Sequence, residues 1–231
     1  MKRTIVIHQP DFLPYLGFFD RFLHSDLWVI LDNVQFVNRG NSWHYRDRIK
    51  THQGAQWLSI SVKKCPKEIL INEVELSETI PWKVNNLNLL KQNYSKAPFF
   101  KEVFPFIEEL YDFRGKKMVD FNLKSIHLLM ELFDIKIETI FASQLNAEGS
   151  KNELLIDILK KVNADTYLAG TGAKSYMEVD LFNAAGIEVM YQDFSHPVYP
   201  QLHGEFIPYL SSIDLLLNCG VEASRKIIRN Q

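Results

Sequence analysis

The sequence predicts an α/β fold, a mainly parallel sheet flanked by helices, with a β-hairpin insertion and a helical insertion. Two observations predict it. Short apolar runs at 4–7 and 27–31 frame a segment of helical periodicity, and the last hundred residues alternate short strands with helices. The stretch between them is β-rich at about 40–80 and helical at 83–134. We expect a single domain over residues 1–231 that contains both stretches as insertions.

The two N-terminal apolar runs are short and rich in isoleucine and valine. Such runs are typical of parallel strands that are buried on both faces. Between them, Tyr15–His24 has apolar residues at positions 15, 16, 18, 19, 22 and 23, which predicts a helix packed on the sheet. The three segments therefore predict a β-α-β unit.

The β-rich insertion alternates bulky and polar residues. Residues 43–49 and 56–62 alternate on either side of a turn at Gln53-Gly54, which predicts an antiparallel hairpin. We expect one more short strand over Ile71–Leu76. Three amphipathic segments follow, and they predict helices at 83–95, 99–113 and 118–133.

The last hundred residues return to α/β alternation. The pattern predicts strands at 137–141, 166–169 and 187–191, and helices at 150–162, 179–184, 213–217 and 222–229. Asn218-Cys219-Gly220 separates the last two helices. A glycine at that point predicts a helix C-cap, because glycine adopts the left-handed conformation that such caps require.

Composition and charge exclude several classes of protein. The formal net charge of −2 gives no basic field that would gather nucleic acid, so we expect no nucleic-acid partner. Cys65 and Cys219 form no CxxC pattern, which excludes a zinc site built from cysteine clusters. No apolar run has the length of a signal peptide or a membrane span, and we therefore expect a cytoplasmic protein. The sequence identifies no cofactor and no oligomeric state. It assigns no metal ligands, although Asp32 with Asp20 or Asp193 would be able to host Mg²⁺ through waters.

Polar residues follow the first two predicted strands at the points where they end. His8 and Gln9 follow the first strand, and Asp32, Asn33 and Gln35 follow the second. Ligands bind at the carboxyl ends of the strands in open parallel sheets. His8 would serve there as an acid or base, and the carboxylate and amide groups would bind hydroxyls of a sugar or ribose.

A glycine-rich turn follows the strand predicted at 166–169. Gly170, Thr171, Gly172 and Lys174 would present backbone N–H groups, and the glycines would let a phosphate or an activated acyl donor approach closely. The spacing is not that of a Walker A loop.

A basic and aromatic run lies at the start of the predicted hairpin. Strand alternation predicts that His44, Arg46 and Arg48 share one face and that Trp43 lies on the other. Three cationic or titratable groups on one face suit a phosphate or diphosphate, and Arg39 would add to the patch.

A further candidate segment follows the strand predicted at 187–191. His196 stands beside a proline, and Tyr199 and Gln201 follow closely. We expect His196 to face the ligand as a second candidate base, with Tyr199 and Gln201 binding polar groups of the ligand.

These motifs together resemble the bacterial WbqC-like family. The resemblance is carried by His8-Gln-Pro, Pro14-Tyr-Leu-Gly17, Leu31-Asp-Asn-Val-Gln-Phe36, Trp43 with Arg46 and Arg48, Trp57-Leu-Ser-Ile60, Gly170-Thr-Gly-Ala-Lys-Ser-Tyr176, His196-Pro, Tyr199-Pro-Gln201 and Ser212-Ile-Asp-Leu-Leu-Leu-Asn-Cys-Gly220. The blocks span nearly the whole chain in order. The resemblance implies a role in surface polysaccharide biosynthesis, notably of O-antigen, as a transferase of an acyl or aminoacyl group such as glycyl to an amino sugar.

The first functional hypothesis is therefore a transferase that acts on a nucleotide-linked amino sugar with an activated acyl donor. Arg46 and Arg48 would hold the diphosphate, and His8 or His196 would accept the proton of the attacking amine. The choice between the two histidines stays open. Both are candidates because they follow predicted strands, and the family resemblance does not assign the catalytic residue.

Two alternatives remain. A histidine after the first strand is similar to HUP-type nucleotidyltransferases and ATP-dependent ligases, although the second histidine of their HxGH motif is missing here. A non-catalytic binding module of a polysaccharide assembly complex would instead expose apolar residues on the helical insertion, such as Phe99, Phe100, Phe104 and Phe106.

Overall fold

The computed structural model describes residues 2–37 and 42–230, so Arg39 lies outside the described residues. The chain forms two compact units. The sheet unit comprises residues 2–9, 20–33 and 136–195, and the hairpin–helix unit comprises residues 10–19, 34–37, 42–135 and 196–230. In the described part of the chain, no helix combines the length and the apolar character needed to cross a membrane.

A five-stranded parallel sheet organises the sheet unit, as the sequence predicts. Its strands are β1 (Thr4–His8), β2 (Leu27–Ile30), β5 (Glu138–Phe141), β6 (Thr166–Ala169) and β7 (Glu188–Tyr191), and their order is β5-β2-β1-β6-β7. All four pairings are parallel. The sheet therefore places the carboxyl ends of all five strands along one edge.

The two faces of the sheet follow from strand alternation. Ile5 and Ile7 of β1 are in register with Leu27 and Val29 of β2, and these four side chains are buried on one face. Helices α5 (Lys151–Lys161) and α6 (Val179–Ala184) contribute to the same hydrophobic cluster, in which Ile158, Leu159 and Phe182 are buried. The near-continuous apolar character of β1 and β2 is thus explained by burial within a parallel sheet.

Helix α1 (Leu16–Leu23) connects β1 to β2, and the boundary between the two units falls within it, between Phe19 and Asp20. In the sheet unit, Phe22 packs its ring 4.8 Å from that of Trp28. Trp28 of β2 is in register with Val6 of β1, and both lie on the face of the sheet away from Ile5 and Ile7. The predicted β-α-β unit is therefore present.

The hairpin–helix unit contains the two predicted insertions. Strands β3 (Arg46–Thr51) and β4 (Gly54–Ser59) form an antiparallel hairpin. The helices are α2 (Trp82–Tyr94), α3 (Phe100–Tyr111), α4 (Met118–Leu132) and α7 (Ser212–Ile227). Their bounds agree with the helical segments predicted from the sequence to within two residues, apart from the merging of the last two segments into α7.

The strand predicted over Ile71–Leu76 is wrong. Ile71–Glu73 forms a short 3-10 turn, and single antiparallel bridges join Val62 to Leu76 and Glu75 to Lys117. Ile71, Val74 and Leu76 are all buried, and this explains the apolar pattern without a strand. Alternation alone does not distinguish a strand from a loop that buries every second or third side chain.

Gly220 interrupts the helix where the sequence predicts a C-cap, although its ψ is not that of a left-handed helical cap. Gly220 has φ 77° and ψ 170°, so it interrupts the helical geometry inside α7. A side chain there would also meet the ring of Phe99, since a Cβ would lie 2.5 Å from Phe99 Cδ1.

The phenylalanines of the helical insertion divide between surface and core. Phe99 and Phe106 are 36% and 41% exposed, whereas Phe104 is buried, with 3% of its surface exposed.

We expect Gly220→Ala to lower the free energy of unfolding by about 1–3 kcal/mol, because it combines left-handed strain with a contact to Phe99. Gly186→Ala is the matched control. Gly186 also has a positive φ, of 78°, but a Cβ there meets no described atom within 4 Å. Urea unfolding of both variants would show a larger loss for Gly220→Ala, and equal losses would contradict a role for the Phe99 contact.

Candidate functional site

The strand order creates a switch point in the sheet unit. If the five strands of this sheet are numbered in chain order, their spatial order is 3-2-1-4-5. The chain therefore runs from β1 to β2 and β5 on one side of β1, and then crosses to β6 and β7 on the other side of β1. Ligands of open parallel sheets bind outside the carboxyl ends of the strands at such a point. His8 ends β1 and Gly170 follows β6, and these two predicted site residues therefore flank the switch point.

His8 is half-buried and has a defined tautomer. Its Nδ1 lies 2.8 Å from the carbonyl oxygen of Gln9, and because a carbonyl only accepts hydrogen bonds, Nδ1 carries the proton. The lone pair is then on Nε2. The carbonyl oxygen of His8 accepts a hydrogen bond from Trp28 Nε1 at 3.1 Å, which ties the end of β1 to β2.

Asp32 and Asn33, at the end of β2, have different environments. Both oxygens of the buried Asp32 carboxylate accept hydrogen bonds from Ser143, one from its N–H at 3.0 Å and one from its hydroxyl at 2.7 Å. Asp32 thus joins the ends of β2 and β5. Asn33 Oδ1 is buried and has no hydrogen-bond partner among residues 2–37 and 42–230, so it is an unsatisfied acceptor.

The glycine-rich turn forms a 3-10 helix over Thr171–Ser175, closed by a hydrogen bond from Ala173 N–H to the Gly170 carbonyl. Gly170 has φ −67°, a conformation open to any residue. A Cβ at this position would lie 3.4 Å from Arg21 Nη1, which is an ordinary van der Waals contact, and this places the guanidinium of Arg21 beside the turn. Lys174 extends its ammonium group over the Tyr191 ring at 5.1 Å, which places a cation beside the end of β7.

Two charged residues of α1 lie near this edge, and the sequence motifs did not include Arg21. Asp20 and Arg21 are both buried within α1, and Asp20 Oδ2 accepts a hydrogen bond of 2.6 Å from Gln192, just after β7. The sequence contains a signal for the burial of both residues. They lie between the pairs Phe18-Phe19 and Phe22-Leu23, so this short helix has no consistently polar face on which they could be exposed.

In the hairpin–helix unit, Arg46 and Arg48 share one face of β3, as predicted. Arg48 lies opposite Trp57 of β4, and the guanidinium of Arg46 lies 4.1 Å from the Trp57 ring. Trp43 packs against Trp57 as well, with ring centroids 5.6 Å apart. Trp43 therefore joins the arginine face and does not lie opposite it, because it precedes the strand and alternation does not apply.

His44 also differs from the prediction. It precedes β3 and is only 6% exposed, with Nδ1 3.2 Å from Asp11 Oδ1. Asn122 donates hydrogen bonds to the carbonyl oxygens of Pro10 and His44, which fixes both segments. His44 is thus buried beside Asp11 and does not project with Arg46 and Arg48.

Gln35 lies in a different part of the same unit. Its Nε2 donates a hydrogen bond of 2.8 Å to the Lys67 carbonyl, and its backbone bridges to Leu70. The structure gives Gln35 a role in holding these two loops together.

A buried carboxylate organises the segment that contains His196. Asp214 has no exposed surface, and its Oδ1 accepts a hydrogen bond from the Tyr94 hydroxyl at 2.6 Å. Its Oδ2 accepts from the Tyr199 hydroxyl at 3.0 Å and from Gln201 Nε2 at 2.8 Å. Burial raises the pKa of Asp214 above its usual range, although all three hydrogen bonds act to lower it. Tyr199 and Gln201, predicted as ligand contacts, are therefore anchors of this segment.

The residues 196–209, which we call the His196 loop, are fixed at a second point by Lys50. The Lys50 ammonium donates hydrogen bonds to the carbonyl oxygens of Gly204 and Glu205, at 3.1 and 2.5 Å. Gln201 and Ile207 exchange two more within the loop, at 3.0 and 2.9 Å. The loop is thus held by polar contacts in the absence of regular secondary structure.

His196 has the same tautomer as His8. Its Nδ1 lies 2.9 Å from the Pro197 carbonyl and therefore carries the proton, which leaves the lone pair on Nε2. Burial lowers the pKa of His196, outweighing the hydrogen bond to Pro197, which raises it. The imidazole is consequently neutral and basic at pH 7.

The environment of Cys219 argues against a thiolate. Burial, assisted by the Asp214 charge, raises the pKa of Cys219 to about 11, so the thiol stays protonated at neutral pH. Among the described residues, no group of three or more histidine, cysteine, aspartate or glutamate side chains is placed to hold a metal ion.

Comparison with known proteins gives the family. The model of the WbqC-like protein family matches residues 9–226. The chain belongs to the WbqC-like family. It is also similar to the protein named "Uncharacterized protein Rv1507c" of Mycobacterium tuberculosis (strain ATCC 25618 / H37Rv), with 31% identity over 228 residues, 96% of each chain. No solved structure matches the chain significantly.

The family match covers both units of this WbqC-like protein. It includes Arg48, Gly170, His196 and Asp214, and it begins one residue after His8. Asp214 lies within a block that carries the resemblance in sequence, but only the structure reveals its three hydrogen-bond donors.

We expect Asp214→Asn to lower the free energy of unfolding by about 1–3 kcal/mol, because an amide N–H₂ would replace one acceptor that faces hydroxyl and amide donors in a site without solvent. Asp180→Asn, at an exposed position of α6, is the control and should change it by less than about 0.5 kcal/mol. Urea unfolding measures both. A loss for Asp214→Asn no larger than the control would contradict the anchoring role.

Proposed function

We propose that this WbqC-like protein transfers an acyl or aminoacyl group to the amino group of a nucleotide-linked sugar in surface polysaccharide biosynthesis. The observation that carries the proposal is the state of His196, a partly buried imidazole with a lowered pKa and its lone pair on Nε2. Such a group is suited to accept a proton at neutral pH. The family resemblance supplies the reaction class.

The reaction needs a base because an ammonium group is not a nucleophile. The amine nitrogen attacks the carbonyl carbon of the acyl donor and forms the new C–N bond. The bond from that carbon to the donor's leaving group breaks, and the leaving group departs with the electron pair. The proton of the amine passes to Nε2 of His196 or, alternatively, of His8, which has the same tautomer.

Each unit, taken by itself, offers charged groups that suit a phosphate-bearing substrate. In the hairpin–helix unit, Arg46 and Arg48 share a face and would bind the diphosphate of the nucleotide sugar. In the sheet unit, Lys174 lies beside the turn that begins at Gly170 and would bind a phosphate or the activated acyl donor. The acceptor oxygen of Asn33 would receive a hydrogen bond from a ligand hydroxyl or amide.

Replacing the base should reduce turnover by about 10²–10⁴-fold with the fold intact. The assay incubates UDP- and dTDP-linked amino sugars with a panel of acyl-CoA and aminoacyl donors and detects the acylated sugar by mass spectrometry. His196→Ala and His8→Ala are compared with His24→Ala, whose exposed ring also bonds a backbone carbonyl through Nδ1. Wild-type turnover in both test variants would contradict the assignment of either histidine as the base.

The pH dependence of transfer distinguishes the two histidines. Below its pKa the imidazolium of His196 cannot accept a proton, so kcat/KM should fall as the pH drops through a value lower than the ordinary histidine pKa of about 6.5. The limb should disappear in a residual-activity profile of His196→Ala. A limb that persists unchanged in that variant would exclude His196 and favour His8.

A second function has one observation in its favour. The strand order 3-2-1-4-5 is that of the first five strands in dinucleotide-binding sheets, which suits a nucleotidyltransferase or ATP-dependent ligase. The sequence His8-Gln9-Pro10-Asp11 lacks the second histidine of the HxGH motif. Incubation with ATP and candidate carboxylic acids should release no pyrophosphate if the transferase proposal is right, and stoichiometric release would replace it with the ligase.

A further inference from the structure

The His196 loop presents aromatic rings around one exposed tyrosine. Tyr209 is 47% exposed, and its ring lies 5.2 Å from that of His196 and 6.2 Å from that of Tyr15. Phe206 lies 5.8 Å from His196 on the other side. These three ring pairs are tilted or edge-on and not stacked face to face, and Tyr209 is the member with the exposed ring.

Tyr209 is held in an unfavourable backbone conformation. Its φ of 57° lies in the left-handed region, where a bulky residue is uncommon. Strained positions persist where the surrounding structure over-determines them, and they concentrate at ligand sites. Here the surrounding structure is the set of anchors formed by Lys50, Gln201 and Asp214, which fixes the loop on the N-terminal side of Tyr209.

A cation lies directly beside Tyr209. Arg48 donates a hydrogen bond of 3.0 Å from Nη2 to the Tyr209 carbonyl, and Ser211 N–H returns one to the Arg48 carbonyl at 2.8 Å. Arg48 Nε is buried and has no hydrogen-bond partner among the described residues. The buried Nε is out of a ligand's reach, but the guanidinium has further N–H donors on Nη1 and Nη2, and these suit an anionic acceptor supplied by a ligand.

We propose that Tyr209 and Arg48 form a subsite for a nucleoside diphosphate, in which the Tyr209 ring stacks on the base and Arg48 binds the diphosphate. The inference deepens the proposed function and rests on it for the nucleotide. A base offers a flat π-face to an aromatic ring whatever its identity, and a guanidinium binds phosphate oxygens in a bidentate manner. The strain at Tyr209 orients the ring before the ligand arrives, which reduces the entropy that binding must lose.

The test is isothermal titration of UDP and of dTDP into the wild-type protein, Tyr209→Gly and Tyr209→Phe. Glycine removes the ring and tolerates the positive φ. The unfolding temperature of this variant should therefore lie within a few degrees of that of the wild type. We expect Tyr209→Gly to bind about 10- to 100-fold more weakly and Tyr209→Phe to bind like the wild type. Wild-type affinity in Tyr209→Gly, or equal losses in both variants, would overturn the stacking role.

Two further arms separate the parts of the proposal. Inorganic diphosphate should bind the wild type and Tyr209→Gly equally but bind Arg48→Ala more weakly, and equal binding to Arg48→Ala would overturn the role of Arg48. The titrations contain no acyl donor, so their failure is independent of the transfer assay. Nucleotide binding without any acyl transfer would leave this subsite standing and remove the transferase, while transfer that is unaffected by Tyr209→Gly would remove the subsite alone.

Discussion

The buried carboxylate of Asp214 is the interaction on which the His196 loop depends. A charge with no exposed surface is stable only when hydrogen bonds replace its water, and three donors from Tyr94, Tyr199 and Gln201 do so. Two of those donors belong to the loop itself. The cost of burying the charge, visible in the raised pKa of Asp214, is thus offset by bonds that simultaneously fix a segment without regular secondary structure.

In the sheet unit, the strand topology and not a buried carboxylate brings the candidate site residues together. Parallel pairing with crossover connections sends every strand in the same direction, so the residues that follow β1, β2 and β6 meet at one edge whatever their identity. Side-chain contacts then refine that edge. Asp32 joins β2 to β5 through Ser143, and the guanidinium of Arg21 lies beside Gly170. His8 and His196, one in each unit, share the same tautomer because each donates Nδ1–H to a neighbouring backbone carbonyl.

Sequence periodicity was sufficient for most of the fold, since buried strands and amphipathic helices have distinct spacings of apolar residues. Thr166–Ala169 and Val179–Ala184 have the predicted bounds, and Gly220 breaks α7 where a cap was expected. The strand predicted at Ile71–Leu76 is wrong because a loop can bury residues at strand-like spacing. No local sequence pattern distinguishes such a loop from a strand, since a strand is defined by its hydrogen bonds to a neighbouring backbone.

The site was less predictable than the fold. Strand ends identified His8 and Gly170, and the alternation of β3 identified the shared face of Arg46 and Arg48. Tyr209, Arg21 and Asp214 were missed because their roles depend on contacts between segments far apart in sequence, such as Arg48 with Tyr209. Likewise, the burial of His44 beside Asp11 follows from packing that strand alternation does not describe.

Hydrogen–deuterium exchange of the wild-type protein, with and without saturating UDP or dTDP, tests most directly whether the anchored loop forms part of a nucleotide site. The account predicts that one of these nucleotides slows exchange in residues 199–209 and 46–51, where the loop and Arg48 lie. Exchange that is unchanged in both segments at nucleotide saturation, with protection confined to other parts of the chain, would contradict it.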